Sequence, residues 1–431
     1  MNLDERKACQ SMPHSDLRRL QLDRFNTLLR SARDQPFYCE RFANLPDRLE
    51  SLDQLAEFPI IEKNDLIAAR RGQPGRIFGL PRRQYTRLHQ TSGTSGWPMP
   101  VLDTPDDWGW WLDCWQYVLD AADVSDQDVA MMAFSFGPFI GFWTANDALV
   151  RRGVLVVPGG GMSSEARLQM IEDHQCTVVC CTPTYALHLA AVAQSRDIDL
   201  ANCSVTRLIV AGEPGGSVPA IRKRIEAAWG ARLIDHTGAS ELGAWGFGSR
   251  DGRGIHVIET EFIAELLRFD DGNRQGVAVA DGEDAELVMT NLGRFGGPAI
   301  RYRTGDIVRG YRRHDHPSSF LWLDGGVIGR ADDMMVIRGV NVFPSSIEAI
   351  VREINPTAEF RMTATRLDEM DQLSVEVELD ALGTNTLCDR LRDRLALRVE
   401  VKSVPHGSLP RFEAKSRRLV DQRNTSPDTA R

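Results

Sequence analysis

Between residues 129 and 245 the chain repeats one pattern: a short apolar run, a Gly/Pro-rich loop, then a polar stretch with helical spacing. VLVVPGGG, TVVCCTPT and RLIVAGEPGG are three instances of the run and its loop. Such alternation predicts parallel βα units, because each strand must cross back through a helix before the next strand can run the same way. In open sheets of this kind ligands bind beyond the carboxyl ends of the strands, which is where these loops fall. The loops are therefore site candidates before any motif is considered.

Length and composition set the frame around that unit. A chain of 431 residues with 42% apolar residues exceeds what one hydrophobic core usually supports, so two domains are expected. A net charge of −9 argues against general affinity for nucleic acid or for an anionic membrane, since both need dense cationic surface. The first residues, MNLDERKAC, precede no apolar signal core, and no apolar run approaches the roughly 18 residues of a spanning helix. A cytoplasmic protein is the expectation. None of the eight cysteines forms a C-x-x-C pair, and Cys176, Cys180 and Cys181 read as part of a buried strand.

From Asp16 to Arg33 the residues Leu17, Leu20, Leu28, Leu29 and Ala32, with Phe25, recur at helical spacing, and Pro36 stands beyond the end. Trp108, Trp111 and Trp115 share one helix face, which predicts core packing. Composition changes at Gly325, Gly326 and Gly329, giving an expected boundary at residue 328. Residues 329–422 are expected to form a small α+β domain. A capping signature at Ser345–Glu348 precedes the apolar face Ile347, Ile350, Val351 and Ile354. LSVEVELD at 373–380 and VEVKSV near 400 read as strands, with Leu387, Leu391 and Leu395 marking a helix between them. Residues 423–431, rich in Thr, Asp and Pro, predict a disordered tail.

Thr91, Ser92, Gly93, Thr94, Ser95 and Gly96 put two glycines and four hydroxyls in six residues, a backbone suited to wrapping phosphate oxygens. The G-x-x-x-x-G-K-[ST] loop of P-loop NTPases appears nowhere. AGEPGG at 211, HTGASELG at 236, RYRTGDIV at 301, GRADDMMVIRGVNVFP at 329 and LPRFEAK ending at Lys415 come next, in that order. Singly, each is a common solvated feature. His314-Asp315-His316 reads as a loop rather than a metal site.

Taken in order, and with RSARDQPFYCERFANLP, HQTSGTSGWP and IRYRTGDIV, these segments resemble the acyl-adenylate-forming superfamily over nearly the whole chain, most closely its phenylacetate-coenzyme A ligase branch. The resemblance implies a large α/β N-terminal domain of helix-flanked sheets and a small mobile α+β C-terminal domain. It implies activation of a carboxylic acid, aryl or arylacetic, by ATP and Mg²⁺ to an acyl adenylate, then transfer to coenzyme A. A carrier-protein thiol or an amine as acceptor stays open, as does a ligand-binding protein that only keeps the fold, and the family also suggests a homodimer.

Residue by residue, the resemblance assigns Thr91 to Gly96 to the β and γ phosphates, and Gly212, Glu213 and Pro214 to the adenine wall. Thr237, Gly238 and Ser240 belong to the same nucleotide site, and Glu241 to Mg²⁺, a hard cation that prefers oxygen. Asp306 would accept from both ribose hydroxyls, and Arg330 would support ribose or phosphate. Lys415 would bridge the attacking carboxylate and the α phosphate. Asp332 matches the hinge of the small domain. Phe134, Phe136, Gly137 and Phe139 would line the acyl pocket. Three departures stand out: Thr237 replaces an aromatic residue that stacks on adenine, Trp97 a lysine beside the phosphate loop, and Ala414 a glycine before Lys415.

Overall fold

The computed structural model describes residues 1–70, 79–91, 98–134, 136–138, 140–270, 272–312, 318–331, 335–337, 340–342, 344–367, 370–395, 397, 399–410 and 418–423. The chain forms two compact units, Met1–Val327 and Ile328–Arg431.

The first unit opens with a hairpin, β1 (Arg87–Gln90) against β2 (Pro100–Asp103). Its main sheet contains β3 (Val129–Met132), β4 (Leu155–Pro158), β5 (Val178–Cys181), β6 (Arg207–Val210), β7 (Arg232–Ala239), β8 (Gly243–Gly248), β9 (Gly254–Val257), β10 (Phe262–Arg268), β11 (Val277–Ala278), β12 (Asp284–Asn291), β13 (Tyr302–Tyr311) and β14 (Trp322–Arg330). The order is β11-β10-β12-β13-β14-β9-β8-β7-β6-β5-β3-β4, one ladder of twelve. From β7 through β4 every pairing is parallel, as the repeated pattern predicts.

The helices of this unit are α1 (Leu3–Gln10), α2 (His14–Arg33), α3 (Pro36–Cys39), α4 (Lys63–Arg70), α5 (Pro105–Ala121), α6 (Trp143–Arg152), α7 (Ser164–Asp173), α8 (Pro183–Gln194) and α9 (Pro219–Trp229). They cover both faces of the parallel strands. In β5, Val178 and Cys180 join one core with α2, α5 and α6, while Val179 and Cys181 join a second with α7, α8 and α9. Burial on both faces is why these strands read as unbroken apolar runs. The same burial pushes the Cys180 thiol up to about 12, leaving it a core residue. Trp108, Trp111 and Trp115 are buried along α5 as expected. Pro36 opens α3 rather than merely ending α2, because its fixed φ suits a first helical turn.

Gly325 and Gly326 lie within β14 at φ of 73° and 70°, a backbone region that favours glycine. The second unit has the strand pair β15 (Met335–Ile337) and β16 (Val340–Val342), and a four-stranded sheet. That sheet runs β19-β18-β17-β20, from β17 (Phe360–Leu367), β18 (Met370–Val377), β19 (Glu400–Ser403) and β20 (Leu419–Asp421). Helices α10 (Pro344–Ile354) and α11 (Ala381–Leu395) pack Ile347, Ile350, Val351, Leu387 and Leu391 onto Phe360, Met362 and Val375. Helix α10 starts at Pro344, so the serines expected to cap it fall inside its first turn. Arg423 still pairs with Asp371 at 3.1 Å; 424–431 lie outside the described residues. Among the described residues no helix is long and apolar enough to cross a membrane.

Candidate active site

Segments singled out in the sequence follow β3, β4, β5, β6 and β7 of the parallel region, and Thr91 lies just beyond β1 of the hairpin. Between β1 and β2, Thr91 donates its N–H to the Met99 carbonyl at 3.0 Å and its hydroxyl accepts from the Met99 N–H at 3.1 Å. This closes the base of the loop; Ser92 to Gly96 and Trp97 lie outside the described residues.

Strand β7 changes partner along its length. Arg232 to Asp235 pair in parallel with β6, then His236 to Ala239 pair antiparallel with β8, with the register slipping between Thr237 and Ala239. Gly238 sits at that bulge, where a Cβ would come within 2.8 Å of the Gly243 carbonyl. Bulges of this kind re-aim the following residues, and here they deliver Ser240 and Glu241 out of the sheet. Arg294 then holds them: its Nη1 donates to the carbonyls of Ser240 at 2.8 Å and Glu241 at 3.0 Å. Its Nε donates to Asp103 at 2.8 Å, and both side chains are essentially unexposed, at 1% and 0%. Asp103 ends β2, so one buried ion pair ties the β1–β2 hairpin to the turn carrying Glu241. Burial pushes the Asp103 carboxyl up from the usual carboxylate range, against the pull of Arg294.

Glu213 follows β6 and accepts from the Thr184 N–H at 2.7 Å and from the Thr184 hydroxyl, joining the loops after β5 and β6. Gly212 beside it has a φ of 92°, which requires glycine. After β3, the Phe134 and Phe136 rings lie 4.6 Å apart, and Phe136 meets Trp143 edge-on at 4.7 Å. Trp143 donates to the Gly137 carbonyl at 3.0 Å, and the Pro138 carbonyl accepts from the Gln90 N–H at 2.8 Å, docking this loop on β1. Phe139 lies outside the described residues. His89 extends the aromatic wall: it stacks on Trp108 at 5.4 Å, with its Nδ1 buried and unpartnered. Burial, with Arg87 nearby, lowers it to about 4, so it is neutral at physiological pH.

Asp306 lies at a second bulge. Arg303 pairs with Val288 and Ile307 with Glu286, leaving Thr304, Gly305 and Asp306 opposite Leu287 alone. Gly305 has a φ of 75°, and the Thr304 hydroxyl accepts from the Asp306 N–H at 2.9 Å. The neighbouring arginines are structural: Arg301 is paired to Glu265 at 2.8 Å and Arg303 to Glu286 at 2.7 Å. The described contacts thus gather Thr91, Ser240 and Glu241 into one braced group, and Glu213 with Thr184 and the phenylalanines into strand-end loops. Arg330 ends β14 and is exposed; Asp332 and Lys415 lie outside the described residues.

Buried titrating groups flank the β7 bulge. Burial drives the Asp235 carboxyl up to about 6, although Ser217 donates to it at 2.6 Å, and lowers His236 to about 4. Three contributors lie in no segment marked in the sequence, Lys63, Asp103 and Arg294, whereas Thr184 closes TVVCCTPT. Lys63 Nζ lies 3.1 Å from Glu241 Oε1. A cleft of about 20 Å³, room for one water-sized occupant, adjoins Glu241 between Leu66, Arg294 and Gly296. A single carboxylate beside a space of that size fits Mg²⁺, which takes one or two carboxylates and completes its shell from water and phosphate. Among the described residues no three metal-ligating side chains converge.

Residues 339–423 match the family model of the AMP-binding enzyme C-terminal domain. Over 436 residues, 95% of each chain, the protein is 33% identical to phenylacetate-coenzyme A ligase of Escherichia coli (strain K12). It is 28% identical over 447 residues to the phenylacetate-coenzyme A ligase of Thermus thermophilus, covering 96% of this chain and 98% of that one. A solved 2-hydroxyisobutyryl-CoA ligase in complex with 2-HIB-AMP gives a TM-score of 0.88 at 26% identity, over 98% of this chain and 93% of its own.

Proposed function

The chain belongs to the phenylacetate-coenzyme A ligase branch of the acyl-adenylate-forming enzymes, and from that premise we propose that its acid is aryl or arylacetic. It is an AMP-forming acid–CoA ligase, with ATP and coenzyme A as co-substrates. The observation that carries the choice of acid is the aromatic wall beyond β3, where Phe134, Phe136 and Trp143 pack ring on ring. Such a wall suits edge-to-face and offset packing against a planar substrate.

In this reading a carboxylate oxygen of the acid attacks the α phosphorus and pyrophosphate leaves; the thiolate of coenzyme A then attacks the acyl carbon and AMP leaves. Thr91 to Gly96 wrap the β and γ phosphates, Gly212, Glu213 and Pro214 wall the adenine, and Asp306 accepts from the ribose hydroxyls. Thr237, Gly238 and Ser240 form the floor, and Arg330 supports ribose or phosphate. Mg²⁺ at Glu241 would neutralise charge on the triphosphate. Lys415 offsets the charge that builds between carboxylate and α phosphate. Asp332 is the hinge that exchanges the two half-reactions. The enzyme acts in the cytoplasm, as a homodimer if it follows its family.

Acid-dependent ATP–pyrophosphate exchange over benzoates, arylacetates, cinnamates, fatty acids and 2-hydroxyisobutyrate, repeated with coenzyme A, tests the assignment. Exchange and thioester with arylacetates or benzoates are expected. Preference for an aliphatic acid would overturn the aryl reading, and exchange without thioester would point to a carrier-protein thiol or an amine as acceptor.

A further inference from the structure

Glu241 already has a cation. Its side chain is 7% exposed, and Lys63 Nζ stands 3.1 Å from its Oε1. The backbone that presents Lys63 is held firmly: the Ile61 N–H donates to the Arg301 carbonyl at 3.0 Å, and the Ile61 carbonyl accepts from the Arg303 N–H at 2.8 Å. Glu62 pairs with Arg303 at 2.9 Å, and Asp65 accepts from the Glu62 N–H at 2.9 Å, which starts α4. Lys63 is thereby anchored at its Cα beside β13, the strand of Asp306, while its side chain stays 36% exposed on a flexible stem.

A divalent metal at Glu241 needs the same carboxylate at about 2.0–2.1 Å. An ammonium at hydrogen-bond distance from that oxygen would face the metal across only a few ångströms, and two like charges so close repel strongly in a partly buried site. Metal and ammonium therefore compete for Glu241. The one-water cleft beside Glu241 gives the metal a place, and the exposed side of Lys63 gives the ammonium a way out.

We propose that Lys63 is the resident counter-cation of Glu241, displaced when Mg²⁺ arrives with ATP, and that the released ammonium then binds the triphosphate oxygens. The exchange keeps the buried carboxylate paired in both states, so neither the empty nor the loaded site holds an unbalanced charge. This rests on the assignment of Glu241 to the metal.

Mn²⁺ binding to the nucleotide-free protein, followed by electron paramagnetic resonance, reads the first half. Lys63→Met should bind Mn²⁺ about five- to tenfold more tightly than the parent, because the competitor is gone. Unchanged or weaker binding overturns the exchange. Binding of ATP in EDTA, followed by calorimetry, reads the second half. Lys63→Met should weaken it by a similar factor and Lys63→Arg should retain it, whereas equal affinity in Lys63→Met overturns transfer to the phosphates. Glu241→Gln separates the two assignments: if it leaves Mn²⁺ binding unaltered, the metal role of Glu241 fails and the exchange with it. If it abolishes binding while Lys63→Met changes nothing, only the exchange fails.

Discussion

At the scale of residues, the site depends on side chains that touch no ligand in any motif. Arg294 is the clearest. It sits unexposed between Asp103 and the carbonyls of Ser240 and Glu241, so its loss would orphan a buried carboxylate and free the turn carrying Glu241. Arg294→Met is expected to cost about 3–5 kcal/mol in denaturant unfolding and to raise KM for MgATP more than it lowers kcat. Titration gives a second expectation. Burial holds His89 and His236 neutral down to about 4, whereas the unfolded chain takes up both protons below about 6.5. Their stability is therefore present above pH 6.5 and lost as pH falls toward 4. Asp235 works the other way: with its carboxyl raised to about 6, its contribution is present below its unfolded value and lost as pH rises through 6. The two kinds of group therefore act in opposite directions between pH 4 and 6, and removing one buried histidine removes part of the loss on acidification. Denaturant midpoints across that range check this: stability of His89→Gln should fall less steeply from pH 6 to 4 than that of the parent.

At the scale of elements, two bulges do the positioning, and the sequence announces them unequally. In RYRTGDIV the central Gly305 sits at a φ of 75°, which throws Asp306 out of register with β12. A side chain there meets the left-handed penalty, so Gly305→Ala should cost about 1–2 kcal/mol and raise KM for ATP through Asp306. Parallel unfolding and kinetic measurements would show both changes or refute the link. The second bulge, at Gly238, coincides with the point where β7 leaves β6 for β8. HTGASELG marks a turn in the sequence, but the change of partner depends on β8 being alongside. The helices were easier to read, since α2 and α11 carry their burial as a 3.6-residue stripe that needs no partner to be visible.

At the scale of the whole molecule, the proposed chemistry separates into two half-reactions, and variants should separate them too. Lys415→Ala is expected to abolish acid-dependent pyrophosphate exchange with ATP affinity largely kept. Asp332→Pro, which stiffens the proposed hinge, should keep exchange and lose thioester formation; equal loss of both would count against a turning domain. By itself the sequence determined the parallel βα core, the second α+β unit and the family, because apolar periodicity and ordered glycine-rich motifs are local properties of the chain. It also marked Glu213, Glu241 and Asp306. Only the tertiary structure decided what holds them: Asp103 with Arg294 are 191 residues apart, Thr184 with Glu213 are 29, and Lys63 reaches Glu241 from a helix that carries no motif. An ion pair between distant residues leaves no periodic trace in a sequence, since its partners are chosen by how the sheet folds them together and not by their neighbours along the chain.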